Sequence, residues 1–270
     1  MVTITINKDL CKMDGFCTMV CPMNVLVQDE KRTNPRIAHD EECISCGQCV
    51  SICPNAAVIH SDFPIEQITE IRQDMQIPPE HLMEFLKSRR SIRALRDRPV
   101  EKELIEQVIE GARFAPTALN IQSTKYIVIQ DKEILKRIVE LTVQSQARQI
   151  AQASQTLSSF SILVSEFNKG RDKILHDAPV LIFFHADIND ESAEVNASLA
   201  LHNAALISHS LGLGSFYAGY IVAVCQHDDD IPKLLSLPSN HRIYGALAMG
   251  YSKLKFKKRM DRKPAKITWL

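Results

Sequence analysis

The chain has 270 residues, with 32 basic and 32 acidic side chains, and so carries no net charge. That balance does not suggest nucleic acid or membranes as the main partner, and we expect neither. A hydrophobic content of 45% suits buried cores, and the length suits two ordinary domains. The first residues lack the apolar region of a signal peptide, and no apolar run reaches the length of a membrane span. We therefore expect a cytoplasmic protein.

Four cysteines spaced C-x2-C-x2-C-x3-C, with a proline after the last, lie between Cys43 and Pro54. In such a run three thiolates bind one iron–sulfur cluster and the fourth reaches a second cluster. Zinc sites usually use two separated cysteine pairs, or cysteine with histidine. A disulfide framework needs an oxidising compartment. The run therefore predicts an iron–sulfur site in a reducing environment.

The same run occurs 32 residues earlier with one substitution, Asp14 at the position of Cys46. The other matched pairs are Cys11 and Cys43, Gly15 and Gly47, Cys17 and Cys49, Cys21 and Cys53, and Pro22 and Pro54. With this internal repeat, the first sixty or so residues resemble the two-cluster bacterial ferredoxins.

The ferredoxin resemblance implies that ligands cross between the two runs. One cluster is then bound by Cys21, Cys43, Cys46 and Cys49. The other is bound by Cys11, Cys17, Cys53 and Asp14. Carboxylate holds cluster iron less well than thiolate. Three outcomes stay open: Asp14 binds a labile fourth iron, the corner is empty and the cluster is [3Fe–4S], or Asp14 is a surface residue beside an empty site. We expect the two clusters to differ in potential.

Short strands at TITIN, RIAH and AAVIH are expected between the ligand loops of a first domain, residues 1–62. A polar, proline-marked connection at 63–79 precedes a second domain at 80–270. Helical periodicity there predicts helices over 81–89, 100–112, 132–167 and 191–211. Strands are expected over 125–130, 179–186, 215–221 and 242–250. The whole is an α+β chain.

Two helical segments leave alternatives open. The Gln-rich stretch 144–155 is expected to be exposed. The alanines of the helix over 191–211 allow close packing, either at a dimer seam or in the chain's own core.

Four segments of the second domain carry a second resemblance. They are SRRSIR at 88–93, APTALNIQ at 115–122, LGLGSFYAG at 211–219 and MGY at 249–251, followed by a basic tail. In this order and spacing they resemble the nitroreductase family of FMN flavoproteins, over about residues 80–270. The resemblance implies a central mixed sheet flanked by helices, and a homodimer with FMN at the subunit interface.

The nitroreductase resemblance also implies roles for individual residues. Arginine forks and a hydroxyl suit phosphate, so Arg89 and Ser91, with Arg90 beside them, are expected on the FMN phosphate and ribityl chain. Arg93 is expected near flavin N1 and the C2 carbonyl. The residues expected to line the isoalloxazine ring from the partner subunit are Pro116, Thr117, Asn120 and Gln122.

The remaining implied contacts lie at the end of a strand and in the tail. The backbone N–H of Ala218, with Tyr217 and Gly219 beside it, is expected to face flavin N5. The residues expected to close the phosphate site are Arg259, Arg262 and Lys263. The chain departs from the family at Ser123-Thr124, where Pro-Trp is frequent, and at Ala218, where an acidic residue is frequent.

The two resemblances together imply an FMN-dependent oxidoreductase that passes electrons between clusters and FMN. Its substrate is expected to be a small nitro, quinone or enone compound, and its electron donor a protein or NAD(P)H. The stretch 142–170 is expected either to cover the substrate pocket and set its choice of substrate, or to be plain surface helix. Two alternatives remain: a non-catalytic electron carrier or redox sensor, and an NAD(P)H-driven nitroreductase with auxiliary clusters. No G-x-G-x-x-G marks a separate dinucleotide domain.

Overall fold

A computed structural model describes residues 2–152 and 158–270 and divides into two compact units. The first unit holds the residues up to Gln76 together with Leu119–Ile121, and the second holds the rest of the chain from Ile77. The division after Gln76 falls inside the connection predicted at 63–79. Within the described ranges, no helix is both long enough and apolar enough to cross a membrane.

The first unit consists of two small antiparallel strand pairs and two short helices. Its elements are β1 (Ile4–Ile6), α1 (Phe16–Met19), β2 (Leu26–Val27), β3 (Arg36–Ile37), α2 (Gln48–Ile52) and β4 (Val58–His60). β1 pairs with β4, and β2 pairs with β3. The predicted strands are present, and β2 is an addition to them. A small apolar core includes Ile4, Leu26 and Val58.

The second unit is a four-stranded sheet with helices on both faces. Its strands are β5 (Lys125–Ile129), β6 (Val180–Asp187), β7 (Leu213–Tyr217) and β8 (His241–Tyr251). Its helices are α3 (Pro79–Ser88), α4 (Lys102–Arg113), α5 (Lys132–Gln152), α6 (Ser158–Asn168), α7 (Ala193–Ser210), α8 (Gly219–Cys225) and α9 (Asp230–Leu234).

The strands of this sheet run in the order β5-β6-β8-β7, and every neighbouring pair is antiparallel. A mixed sheet was expected. Among the described residues, parallel pairing is confined to an isolated bridge between Ser91 and Ser215. The helix α7 connects β6 to β7, and these two strands point the same way but are separated in the sheet by β8.

The strand β6 is apolar from Val180 to Phe184, because both of its faces are covered there. Leu181 and Phe183 belong to the core cluster that also holds residues of α5 and α8. Ile182 and Phe184 belong to the other cluster, which holds residues of α4 and α7. Side chains alternate between faces along a strand, so the continuous apolar run feeds two cores at once.

The alanine-rich face of α7 packs inside the chain. Ala197, Ala200 and Ala204 are at most 2% exposed and share a core cluster with residues of α4. Of the two alternatives for these alanines, the structure therefore shows the chain's own core. The helices α4 and α7 are in close contact at Gly111 of α4, where an added Cβ would lie 2.2 Å from Cγ1 of Ile207 in α7.

The helix predicted over 132–167 is helical over Lys132–Gln152 and Ser158–Asn168, and residues 153–157 lie outside the described ranges. Two other local expectations differ from the structure. Ser145 and Gln146, expected to be exposed, are 3% and 1% exposed. The strand predicted over 215–221 ends at Tyr217, where α8 soon begins.

We predict that Gly111→Ala destabilises the second unit. An alanine in a helix normally gains about 0.5–1 kcal/mol over glycine. Here the added methyl meets Ile207, and overpacking of that kind costs about 1–3 kcal/mol. Denaturant unfolding of the single variant should show a net loss of stability. In an Ile207→Ala background the same substitution should cost much less, and an equal cost in both backgrounds would contradict this packing.

Candidate functional site

Four thiols of the first unit surround one cavity. Cys21, Cys43, Cys46 and Cys49 line it together with apolar side chains and His60. Burial, with a further contribution from the charges of the other three cysteines, raises the pKa of Cys49 to about 11. A thiol with a raised pKa is mostly protonated near neutral pH, and metal binding deprotonates it. The donor set and its surroundings therefore fit an iron–sulfur cluster.

The remaining thiols form a second group. Burial raises the pKa of Cys17, and the charges of Cys53 and Cys11 raise it further, in that order. Cys17 therefore faces one cysteine of its own run and one from the later run. Both groups combine cysteines in the crossed pattern that the ferredoxin resemblance implies.

Backbone N–H groups point at sulfur atoms in a pattern that follows the repeat. The N–H of Val25 donates to Sγ of Cys21, and the N–H of Ala57 donates to Sγ of Cys53, both at 3.2 Å. The loops that carry these hydrogen bonds contain residues with positive φ, and these residues occur at matching positions of the two runs. Positive φ occurs at Gly15 and Gly47, at Met13 and Ser45, and at Asn24 and Ala56. Glycine suits the first pair because it adopts left-handed angles without strain.

Asp14 differs from its repeat partner Cys46 in solvent exposure as well as in chemistry. Its side chain is exposed, and Oδ1 accepts a hydrogen bond from the N–H of Phe16 at 3.1 Å. The carboxylate thus satisfies one of the free N–H groups at the start of α1.

In the second unit, the arginine-rich segment after α3 runs along β7. The N–H of Ile92 donates to the carbonyl of Ser215 at 3.0 Å. The guanidinium of Arg93 lies 5.3 Å from the ring centre of Phe216. Burial raises the pKa of Tyr217, and the charge of Arg89 acts in the opposite direction. Cationic side chains therefore collect at one end of β7.

The first residues of the basic tail contact the arginine-rich segment, whereas later residues contact α3 or are exposed. The N–H of Lys253 donates to the carbonyl of Ala94 at 2.8 Å. Arg90 lies 5.9 Å from the ring centre of Phe256. Arg259 forms an ion pair with Glu84 at 3.1 Å. The two remaining predicted tail residues, Arg262 and Lys263, are exposed.

The loop between α4 and β5 has a strained backbone. Leu119, Asn120 and Gln122 all have positive φ, which costs non-glycine residues energy and is frequent at ligand sites. Thr117 Oγ1 accepts a hydrogen bond from the N–H of Gln122 at 3.1 Å, while Pro116 is exposed. Asn120 groups with the first unit, where its amide donates to the carbonyls of Ile44 and Ser45. The side-chain N–H groups of Asn120 are therefore used in binding the loop that contains Ile44 and Ser45.

The role expected for the N–H of Ala218 needs correction. That N–H donates to the carbonyl of Ala246 at 2.9 Å, which continues the ladder between β7 and β8. It is therefore not available to a ligand. The next N–H, at Gly219, is the first of α8 and has no acceptor within its helix. Gly219 is exposed, and space is open where a Cβ would stand.

Sequence reasoning missed three side chains at these positions. His202 Nδ1 lies 2.9 Å from the hydroxyl of Tyr217, and His209 Nε2 lies 3.0 Å from the hydroxyl of Ser88. Asn196 Oδ1 accepts from the N–H of Ala118, and its buried Nδ2 has no partner among the described residues. All three belong to α7 and look like ordinary helix positions in the sequence. Only their place beside the predicted segments makes them notable.

Comparisons with known proteins agree with both halves of this description. Residues 86–251 match the Nitroreductase family, and residues 3–54 match the 4Fe-4S dicluster domain. The chain is 32% identical over 177 residues to an FMN reductase (NAD(P)H) of Bacillus subtilis (strain 168), a match covering 63% of this chain and 65% of that protein. It is 27% identical over 169 residues to an oxygen-insensitive NADPH nitroreductase of Salmonella typhimurium, covering 63% of this chain and 65% of that protein. In both cases the match spans less than two thirds of the relative's own length.

A solved structure supports the fold. The crystal structure of a nitroreductase with bound FMN from Bacteroides fragilis superposes with a TM-score of 0.58 at 20% identity, covering 70% of this chain and 98% of that one. At that identity the likeness concerns the fold alone. The family match, however, spans more than half of the chain. The chain therefore belongs to the nitroreductase family and carries a 4Fe-4S dicluster domain at its N-terminus.

Proposed function

We propose that this chain is an FMN-dependent oxidoreductase in which two iron–sulfur clusters exchange electrons with FMN to reduce a small electrophilic compound. The observation that carries the proposal is the presence, on one chain, of two groups of partly or fully buried thiols and a cationic strand end in a nitroreductase-family domain. When bound, the clusters supply one-electron transfer, and FMN connects it to two-electron reduction of a substrate.

The chain's own residues would bind and orient these groups. Cys21, Cys43, Cys46 and Cys49 would hold one cluster, and Cys11, Cys17 and Cys53 the other. Arg89 and Ser91 would bind the FMN phosphate, where a guanidinium gives paired donors and a permanent charge. Arg93 would place positive charge beside the reducible end of the flavin. The orphaned Nδ2 of Asn196, beside the loop of Thr117, supports a polar ligand there.

The N–H of Gly219 would donate to flavin N5, in place of the committed N–H of Ala218. A donor at the first position of a helix also carries the positive end of the helix dipole, although α8 is short. Its task would be to hold N5 in orientation and to stabilise electron density that reaches the ring.

NAD(P)H is a second candidate for the electron source. The names of the FMN reductase of Bacillus subtilis and the nitroreductase of Salmonella typhimurium both include a nicotinamide cofactor. The two sources differ in a simple test. Cys43→Ser and Cys46→Ser together should remove one cluster. If NADH alone still reduces FMN rapidly in that variant, the nicotinamide is the electron source. If FMN is reduced only when the clusters are intact, the electrons come through the clusters.

We also propose a homodimer with FMN between the subunits. Several large apolar side chains of the second unit are exposed, including Phe114 at 70%, Val195 at 62% and Leu199 at 40%. Exposed apolar surface of this kind marks interaction sites. The alanine face of α7 is not part of the argument, because it is buried inside the chain.

Arg89→Ala should lose FMN, because the substitution removes the guanidinium proposed to bind the phosphate. Flavin content and cluster absorbance of the anaerobically purified protein give the measurement, and cluster absorbance should remain. Arg96→Ala, at an exposed arginine three residues after the SRRSIR segment, is the control and should keep FMN. Stoichiometric FMN in the Arg89 variant would contradict the phosphate assignment.

Gly219→Pro should slow substrate reduction by about 100- to 1,000-fold, on the scale seen when one oriented donor is lost. Proline is tolerated at the first position of a helix, so the change removes the N–H with little effect on α8. Gly219→Ala keeps the N–H and has room for its methyl group, so its rate should stay near that of the parent. Equal rates in the two variants, measured with equal FMN content, would show that this N–H does not act on the flavin.

Asp14→Cys should convert the cluster at Cys11, Cys17 and Cys53 into an all-thiolate cubane, because the repeat matches Asp14 to Cys46. EPR spectra and the ratio of iron to sulfide give the measurement. Asp14→Asn keeps an oxygen for the Phe16 N–H and serves as the control. A spectrum of the cysteine variant identical to that of the parent would mean that position 14 does not reach the cluster.

A further inference from the structure

His60 is a buried polar side chain beside the first group of thiols, and it lies outside both cysteine runs. It is 3% exposed and lies on β4, paired with Ile4 of β1. Its ring packs at 4.8 Å from that of Phe63. It also lines the cavity that the four thiols of the first group surround. Strand pairing and ring contact therefore hold the imidazole in one orientation.

The hydrogen bonds of His60 determine which ring nitrogen carries the proton. The backbone N–H of Asp62 donates to Nδ1 at 3.1 Å, so Nδ1 must be unprotonated. A neutral imidazole then carries its only proton on Nε2. Nε2 lies 3.5 Å from Sγ of Cys43, within reach of an N–H···S hydrogen bond. The ring is therefore oriented to donate to that sulfur.

The repeat shows that this donor is particular to one of the two thiol groups. At Cys11, the counterpart of Cys43, the donor to Sγ is the backbone N–H of Met13 at 3.4 Å. The residue 32 positions before His60 is Gln28. Its Nε2 donates to the carbonyls of Met13 and Thr33, at 3.2 and 2.7 Å, and not to a sulfur. A side-chain donor is thus shown for Cys43 and not for Cys11.

We propose that His60 is a positioning residue that raises the reduction potential of the cluster bound by Cys21, Cys43, Cys46 and Cys49. The inference rests on the proposed binding of that cluster. Hydrogen bonds to ligand sulfur tune cluster potentials, because they stabilise the additional negative charge of the reduced form. Partners outside the ligand set commonly act in this way at metal sites. The two clusters of the chain would then differ through His60 as well as through Asp14.

The test is an EPR-monitored redox titration of the full chain, loaded anaerobically, in parent and variants. His60→Leu removes the donor and should shift the potential of this cluster downward while leaving the other cluster unchanged. His60→Gln places an amide N–H near the position of Nε2 and should restore much of the shift. Ile59→Ala, on the neighbouring and 55% exposed position of β4, is the matched control and should leave both potentials unchanged.

Iron and sulfide analysis separates this inference from the proposed function. A parent protein without iron would contradict the clusters themselves, whereas an unchanged potential in a fully loaded His60→Leu would overturn the role of His60 alone. A measurement on the unmutated chain covers the case in which the variants do not fold. With ¹⁵N-histidine incorporated, pulsed EPR of the reduced protein should show ¹⁵N coupling to this cluster. Absence of that coupling would overturn the proposal.

Discussion

The constraint on which the first unit depends is the gathering of seven partly or fully buried thiols in one small domain. A domain of this size has a small apolar core and gains limited stability from packing alone. Burial and mutual repulsion hold the pKa of Cys49 and of Cys17 above their usual range. In the function that we propose, iron would reverse this situation, because its charge would stabilise the thiolates and its bonds would join the two runs. Cluster binding and folding of the unit would then be coupled.

The second unit meets a different requirement, which is to present donors from a rigid sheet. β6 is covered on both faces, and this fixes the neighbouring strands β8 and, through it, β7. The arginine segment follows β7 through the contact between Ile92 and Ser215. A short turn then begins α8 and leaves an N–H without a partner at Gly219. The flavin contacts that we propose are thus consequences of strand order and of where one strand stops.

Much of this was predictable from the sequence, because the strongest signals were local or repeated. The cysteine spacing, the 32-residue repeat and the apolar run of β6 each appear in a short window. The α+β class and the family were predicted from ordered segments, and the comparisons confirm both. The division of cysteines into two crossed groups was implied by the resemblance of this repeat to the two-cluster ferredoxins.

The rest depended on contacts between distant residues. The N–H of Ala218 is committed because β7 and β8 pair in one register, which no local pattern reveals. Ser145 and Gln146 are polar residues in a polar stretch, yet they lie on the buried side of α5. The approach of His60 to Cys43 depends on the pairing of β1 with β4. In each case tertiary pairing decided which polar groups remain free.

The account's central claim is that clusters and flavin on this chain exchange electrons. The direct measurement is a stepwise reductive titration of anaerobically purified protein, with iron, sulfide and flavin content determined on the same sample. The account predicts that both clusters and FMN are present and that electrons added to the clusters appear on the flavin, with absorbance and EPR changing together. Protein that holds the clusters and FMN, but in which reduced clusters leave the flavin oxidised, would contradict it.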